Sequence, residues 1–280
     1  LAARAKERGI PVFSYIPPSA WAWRKGRAKS CAALADEIVA IFPHELPPYE
    51  AAGANISFVG NPLIDTVHAE MESEEARIHF GIRAEDVPIL LMPGSRREEI
   101  ERLLPPMLDA AEILAAEDPA RRFFLPVAGG VDVTQIEGHL AVSSVTVTLT
   151  HDARYALMGI ARAAIAASGT VVMEAAIMGL PAVVLYRMSA LSYFVGRLLV
   201  DVPRFSLPNI LVGETFETEL LQDEVQPKRI AEAMERIIAD GADRDYVTER
   251  LARAVALLGE PHAARRVAEK ILALARTSET

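Results

Sequence analysis

The stretch Ala163–Arg187, AAIAASGTVVMEAAIMGLPAVVLYR, leaves few folds open to this chain. It reads as a buried strand to about Ala167, a tight turn at Ser168-Gly169-Thr170 and a helix to about Met178. Gly179 stops the helix, and a second strand starts from Pro181. Such a strand–helix–strand unit joins parallel neighbours in a sheet. The stretch is also long enough to span a bilayer. However, Ser168, Gly169, Glu174, Gly179 and Pro181 punctuate it at strand and helix lengths, so a helix–sheet core accounts for it better.

The turn has a chemistry of its own. A strand that turns sharply into a helix aims free backbone N–H groups, and the positive end of the helix dipole, at one point. Phosphate is the natural guest there. Glu174 lies four residues after Thr170, on the same helix face. Its carboxylate can accept two hydrogen bonds from a ribose diol, so the pair suggests a nucleoside diphosphate. The plain alternative is a tight turn followed by a helix with an exposed Glu.

The rest of the chain repeats the strand–helix alternation. Leu1–Arg8 reads as a helix and Ile10–Ile16 as a near-continuous apolar strand, the pattern of a buried parallel strand. The chain opens at Leu1 in mid-helix with no N-cap, so an N-terminally truncated fragment is expected. EIVAIF at 37–42 and Asn55–Val59 are further strands, and Gly60-Asn61-Pro62 is the best boundary. A fresh series follows: strand Pro88–Met92, turn Pro93-Gly94-Ser95-Arg96, helix Ile100–Glu117, and strands at Arg122–Val127 and Val142–Leu149. After Arg187, Glu217–Gln222 reads as a short helix. Pro227–Ala239, Tyr246–Leu258 and Pro261–Arg276 read as amphipathic or capped helices. The alternation predicts an α/β fold with helices on both faces of a parallel sheet.

Composition narrows the function. With a net charge of −9 and a pI near 5.3, nothing suggests a nucleic-acid partner. The single cysteine, Cys31, forms no internal disulfide and fits a reducing compartment. The six histidines show no metal-ligand spacing, and there is no Walker lysine motif, strand-following GxGxxG or serine nucleophile elbow.

Ligands of open α/β sheets bind beyond the carboxyl ends of the strands, which puts Gly94, Ser95 and Arg96 on the same edge as Ser168, Gly169 and Thr170. Arg96 would supply a fixed cation for a diphosphate and stabilise a leaving UDP; the rival reading pairs it with Glu98 or Glu99. Arg187 ends a strand on that edge and is a candidate phosphate or acceptor contact. Asn209 is either a sugar or phosphate contact or a loop-capping amide. Trp21 and Trp23 stand beside Arg24, Lys25, Arg27 and Lys29, either as a rim for anionic lipid headgroups or as inward-packed rings with solvated cations.

Five segments together resemble the lipid-A-disaccharide synthase family. They are YIPPSAWAWRKGRAK at 15–29, FVGNPLIDT at 58–66, LMPGSRREEI at 91–100, ASGTVVMEAAIMGLPAVVLYRMS at 167–189 and SLPNILVGE at 206–214. The resemblance implies the GT-B type, with two Rossmann-like parallel-sheet halves, the first one incomplete in this chain. Residues 1–62 would be a remnant of the acceptor-side domain and 63–260 the donor-binding domain. Residues 261–280 would form a helix packing back on the first domain or on a partner. The implied reaction joins UDP-2,3-diacylglucosamine to 2,3-diacylglucosamine 1-phosphate and releases UDP, with no metal or other cofactor. The family's PGSR arginine and LPN asparagine fall on Arg96 and Asn209 as catalytic residues.

Asn61 stands where family members often have His. The general base is expected upstream of Leu1, so these residues are expected to bind UDP without turnover. The diacyl substrates imply peripheral contact with an anionic membrane on the cytoplasmic face of the inner membrane, through the Trp21/Trp23 segment and Leu191–Val200. A homodimer is compatible with this reading. Three alternatives stay open: a UDP-sugar 2-epimerase, another N-acetylglucosaminyltransferase, and a UDP-sugar-binding protein without catalysis.

Overall fold

The computed structural model describes residues 1–20, 26–189 and 203–277. In chain order the first elements are α1 (Ala2–Glu7), β1 (Phe13–Tyr15), α2 (Gly26–Leu34), β2 (Glu37–Ala40), α3 (Leu46–Glu50), β3 (Ile56–Phe58) and α4 (Leu63–Thr66). Next come α5 (Ser73–His79), β4 (Val87–Met92), α6 (Arg97–Glu117), β5 (Arg121–Pro126), α7 (Val133–Leu140), β6 (Val147–Thr150) and α8 (Arg154–Ile160). Then follow β7 (Ala163–Ala167), α9 (Thr170–Ile177), β8 (Ala182–Tyr186), α10 (Leu207–Val212), β9 (Glu219–Leu221), α11 (Pro227–Ile238), α12 (Ala242–Ala256) and α13 (Ala263–Thr277). The chain divides into two compact units. One takes in Leu1–Thr66 and the chain from Ala256, and the other holds Val67–Ala190 and Arg204–Val255.

In the first unit, three short parallel strands lie in the order β1-β2-β3. Ala20, Ala28, Ile38 and Tyr49 form its small core, and the Tyr49 hydroxyl donates to Pro18 O at 2.7 Å. Helix α13 packs on β1. Arg266 Nε donates to Val59 O at 2.7 Å, and Lys270 Nζ reaches Glu37 Oε1 at 2.6 Å. Asp65 accepts the N–H groups of His262 and Ala263 at 2.6 and 3.1 Å, satisfying donors the start of a helix leaves free. Asn61 is fully buried; its Nδ2 donates to Ile41 O and its Oδ1 accepts from Leu63 N, each at 2.9 Å.

In the second unit, six described strands form one parallel sheet in the order β6-β5-β4-β7-β8-β9. The chain starts in the middle, winds outward to β6, returns beside β4 and winds outward again. The direction of winding therefore reverses between β4 and β7, where loops leave to opposite faces and open a crevice. Every residue of β7 is buried, and its alanines let helices approach closely on both sides. Leu90, Met92, Ala164, Ala166, Ala182 and Val184 form one face of the sheet, against Leu157 and Met158 of α8 and Val172 and Ala175 of α9. Helices α6 and α11 pack together over the other face.

Two expectations fail here. Glu217–Gln222 is not helical: Glu219–Leu221 is strand β9, paired in parallel with Val184–Tyr186, and a 3-10 turn follows. The sheet edge takes up backbone groups that a short local helix would have used. The strand expected over Val142–Leu149 is confined to Val147–Thr150, behind the unforeseen helix α7. The apolar stretch that mimics a membrane span is two strands and a helix, and no described helix is long and apolar enough to cross a bilayer.

Candidate functional site

Two loops meet at the reversal point of the second unit's sheet. Pro93–Arg96 leaves β4 and enters α6, while Ser168-Gly169 leaves β7 and enters α9. Both line one cleft of about 430 Å³, whose far wall is Pro126–Ala128 with Arg154 and Met158 of α8.

The first loop depends on glycine. Gly94 has φ +103°, and a Cβ there would run into the Glu99 carboxylate. The freed space lets Glu99 fold back over the start of α6, where Oε2 accepts from Arg96 N at 3.3 Å and Oε1 from Arg96 Nη1 at 2.6 Å. The Arg96 side chain is 82% exposed at the cleft mouth, so it is tethered without being buried. Tyr186 ends β8 close to this pair. Burial raises the pKa of its phenol, the Glu99 charge raises it further, and Arg96 opposes both.

The second loop presents a helix start. Gly169 is extended and lines the cleft, and a Cβ on it would meet nothing within 4 Å among the described residues. The Ser168 hydroxyl points backward and donates to Phe205 O at 3.1 Å. Glu174 is buried on the inner side of α9 and lines the cleft. Its Oε2 lies 3.2 Å from Arg154 Nη2 but has no hydrogen-bond partner of proper geometry among the described residues. Arg154 in turn stacks over the Tyr155 ring at 4.6 Å and donates to the Tyr155 hydroxyl at 2.5 Å. The cleft thus holds two guanidiniums, each matched to one acid: Arg96 with Glu99 and Arg154 with Glu174.

A family profile described as lipid-A-disaccharide synthetase matches residues 1–273. The chain belongs to the lipid-A-disaccharide synthetase family. It is 41% identical to the lipid-A-disaccharide synthase of Syntrophus aciditrophicus over 280 residues, covering 100% of this chain and 73% of that protein. It is 42% identical to the synthase of Anaeromyxobacter dehalogenans strain 2CP-1 over 277 residues, covering 99% and 72%. Solved structures share its fold at much lower identity. UDP-GlcNAc 2-epimerase from Neisseria meningitidis bound to UDP-GlcNAc aligns with a TM-score of 0.66 at 17% identity, over 97% of this chain and 72% of that one. The S. aureus MnaA–UDP co-structure aligns at 0.63 and 15%, over 96% and 71%. The parallel-sheet fold is that of GT-B enzymes, and the family assignment separates this chain from the epimerases that share it.

In this member of the lipid-A-disaccharide synthetase family, Gly94, Ser95, Arg96, Ser168, Gly169, Thr170 and Glu174 come together in the one cleft. Two expected partners do not join them. Arg187 lines a different hollow of about 530 Å³, with Arg102, Pro105, Pro106, Gln222 and Asp223. Asn209 is fully buried, and all four of its hydrogen-bonding positions are used. Its Nδ2 donates to Glu217 O at 2.9 Å and Glu219 Oε1 at 2.7 Å, and its Oδ1 accepts from Phe216 N and Glu217 N at 3.0 Å each. In this conformation those four bonds match the loop-capping alternative, and none is left for a ligand.

Arg27 is half-buried on α2 near Tyr49. Trp21, Trp23, Arg24, Lys25 and the segment 191–200 lie outside the described residues. No group of three or more His, Cys, Asp or Glu among the described residues could hold a metal ion. Sequence reasoning missed Arg154, although its place at the start of the helix feeding β7 puts it on the ligand edge.

Proposed function

We propose that this glycosyltransferase of lipid A assembly seats the UDP of its donor in the β4–β7 cleft. The cleft would serve the donor side of the family's reaction, in which the diacylglucosamine of UDP-2,3-diacylglucosamine passes to 2,3-diacylglucosamine 1-phosphate; the general base of that reaction is not among the residues of this cleft. The reading rests on the family assignment and on one observation in the cleft: a buried carboxylate oxygen of Glu174, ion-paired with Arg154 but without a hydrogen-bond partner among the described residues, one turn inside a helix whose start lines the cleft. The Arg154 charge offsets the burial of that carboxylate, and a ribose diol adds hydrogen-bond donors of proper geometry. The first-turn N–H groups of α9 then meet the diphosphate. Arg96, exposed and tethered among the described residues to Glu99, can turn onto the outer phosphate and neutralise the charge that develops as UDP departs. Two relatives in fold are complexes with UDP-GlcNAc and with UDP, which is in keeping with a nucleotide guest for this fold.

Isothermal titration of this chain with UDP tests the proposal. Saturable one-to-one binding that Glu174→Ala and Arg96→Ala both weaken is expected, and absence of UDP binding would overturn it. We extend the proposal to peripheral attachment at the cytoplasmic face of the inner membrane, because both substrates carry acyl chains. Flotation with anionic vesicles should carry the protein upward, and Trp21→Ser with Trp23→Ser should abolish this. No flotation at low salt would remove the extension.

A further inference from the structure

The SLPN stretch spends its polar groups inward, and what it holds borders the cleft. Glu219, the first residue of β9, accepts two hydrogen bonds from that stretch and one from the residue before it. Its Oε2 takes Phe205 N at 3.0 Å, and its Oε1 takes Ser206 N at 2.9 Å and Asn209 Nδ2 at 2.7 Å. Ser206 Oγ donates to Glu217 Oε2 at 3.0 Å, and the Asn209 amide closes the circuit on residues 216 and 217. One carbonyl of this splinted turn faces the other way: Phe205 O accepts the Ser168 hydroxyl at 3.1 Å. Ser168 is the residue just before the Gly169–Thr170 helix start, and α10 packs on α9 itself. The Phe205 ring also rests 5.8 Å from the Tyr186 ring, at the end of the neighbouring strand.

We propose that Glu219 is a positioning residue for the nucleotide cleft. Its carboxylate gathers three donors, fixes the Phe205–Asn209 turn, and through the Phe205 carbonyl aims Ser168 and sets the loop that opens α9. Glu219 touches no ligand in this scheme. The inference rests on the reading of the β4–β7 cleft as the UDP site and explains why its loop is held from β9, two strands away in the sheet.

The chemistry singles out a carboxylate. Three N–H donors converge on two oxygens, and each oxygen of an ionised Glu accepts without restriction. A glutamine has one oxygen and one NH2 group, so at least one of the three donors would face another donor. Ala removes all three acceptor contacts.

The test is UDP titration of the chain and of Glu219→Gln, at a temperature where melting curves show both fully folded. Global destabilisation then leaves affinity unchanged, whereas loss of positioning does not. Glu219→Gln should weaken UDP binding by about ten-fold, equivalent to about 1.4 kcal/mol. Ser168→Ala should weaken it in the same direction, and the double variant should be no weaker than the poorer single, because both cut one chain of contacts. Unchanged affinity in Glu219→Gln, or strictly additive losses, would overturn the inference while leaving the UDP site intact. Failure of the unmodified chain to bind UDP would take both readings down together.

Should Glu219→Gln not fold, hydrogen exchange on the unmodified chain decides. UDP should slow the exchange of the Phe205 and Ser206 amides, and unchanged exchange there overturns the inference.

Discussion

Arg96 Nη1 stands 2.6 Å from Glu99 Oε1, so an acid on the same helix restrains the cation at the cleft mouth. The tether and the proposed ligand compete for one guanidinium. Arg96→Ala should weaken UDP binding by about 1.5–3 kcal/mol, the loss of a charged hydrogen bond. Glu99→Gln should act in the opposite direction. It frees Arg96 and removes a negative charge beside the diphosphate, and for so exposed a pair the gain should be about 0.2–1 kcal/mol. Calorimetric titration reads both, and the two effects should shrink together as salt is raised. Equal weakening by both variants would mean that Arg96 does not reach the ligand.

Glu174 and Arg154 make a sharper test of the ribose assignment. If the buried Glu174 carboxylate receives the 2′- and 3′-hydroxyls, UDP should bind more tightly than 2′-deoxy-UDP by about 1–3 kcal/mol. Glu174→Ala should erase that preference while lowering affinity for both nucleotides. Arg154→Ala should leave the preference in place, since Arg154 touches the carboxylate at 3.2 Å without supplying an acceptor. A preference that survives Glu174→Ala would place the ribose elsewhere.

The sheet and both cleft loops were legible because they are local. The run AAIAA, the Ser168-Gly169 turn and the stop at Gly179 decide their own structure within one βαβ unit, and Pro93–Arg96 sits on the same edge by the rule of winding. Residues 217–222 were misread because their strand exists only by pairing with β8, more than thirty residues earlier in the chain. The sequence left Asn209 open between a ligand contact and a loop-capping amide for the same kind of reason. Its partners at 216, 217 and 219 approach only after β9 joins the sheet, and an amide in an apolar loop looks identical whether it faces a ligand or a turn. Arg187 lies at a strand end as expected, but β8 is one strand removed from the reversal point, and its end opens onto a different hollow.

That contrast between Asn209 and Arg187 yields a stability prediction. Asn209→Ala strands two backbone N–H groups and one carbonyl in the interior and takes one of three donors from the Glu219 carboxylate. It should cost about 2–4 kcal/mol in urea denaturation. Arg187→Ala, at a half-exposed position, should change stability by less than about 0.5 kcal/mol and leave UDP affinity unaltered. Comparable stability in the two variants would contradict the buried network.

Glu217 gives the same network a pH signature. Burial, with the neighbouring Glu219 charge adding to it and the Ser206 hydroxyl opposing it, pushes the Glu217 carboxyl up from 4.5 to about 8. The unfolded chain loses this proton near pH 4.5, and the folded chain keeps it until about pH 8. Between those values the native state binds more protons than the unfolded state, so stability falls as pH rises, by at most about 1.4 kcal/mol per pH unit, and levels off above the folded value. Two other groups act elsewhere on the pH scale. Arg83 holds Asp86 down to about 2, which costs stability only as pH falls below the ordinary Asp range. Burial holds His44 near 4, which raises stability from there up to pH 6.5 and no further. The range from pH 6.5 to 8 therefore isolates Glu217 from both. Over that range the melting temperature of the second unit should drop in the unmodified chain and stay level in Glu217→Gln, which keeps the shape and the Ser206 contact without the ionisable proton. The variant should melt about 3–6 °C higher at pH 8, and parallel pH profiles for the two chains would show that Glu217 is already ionised in the fold.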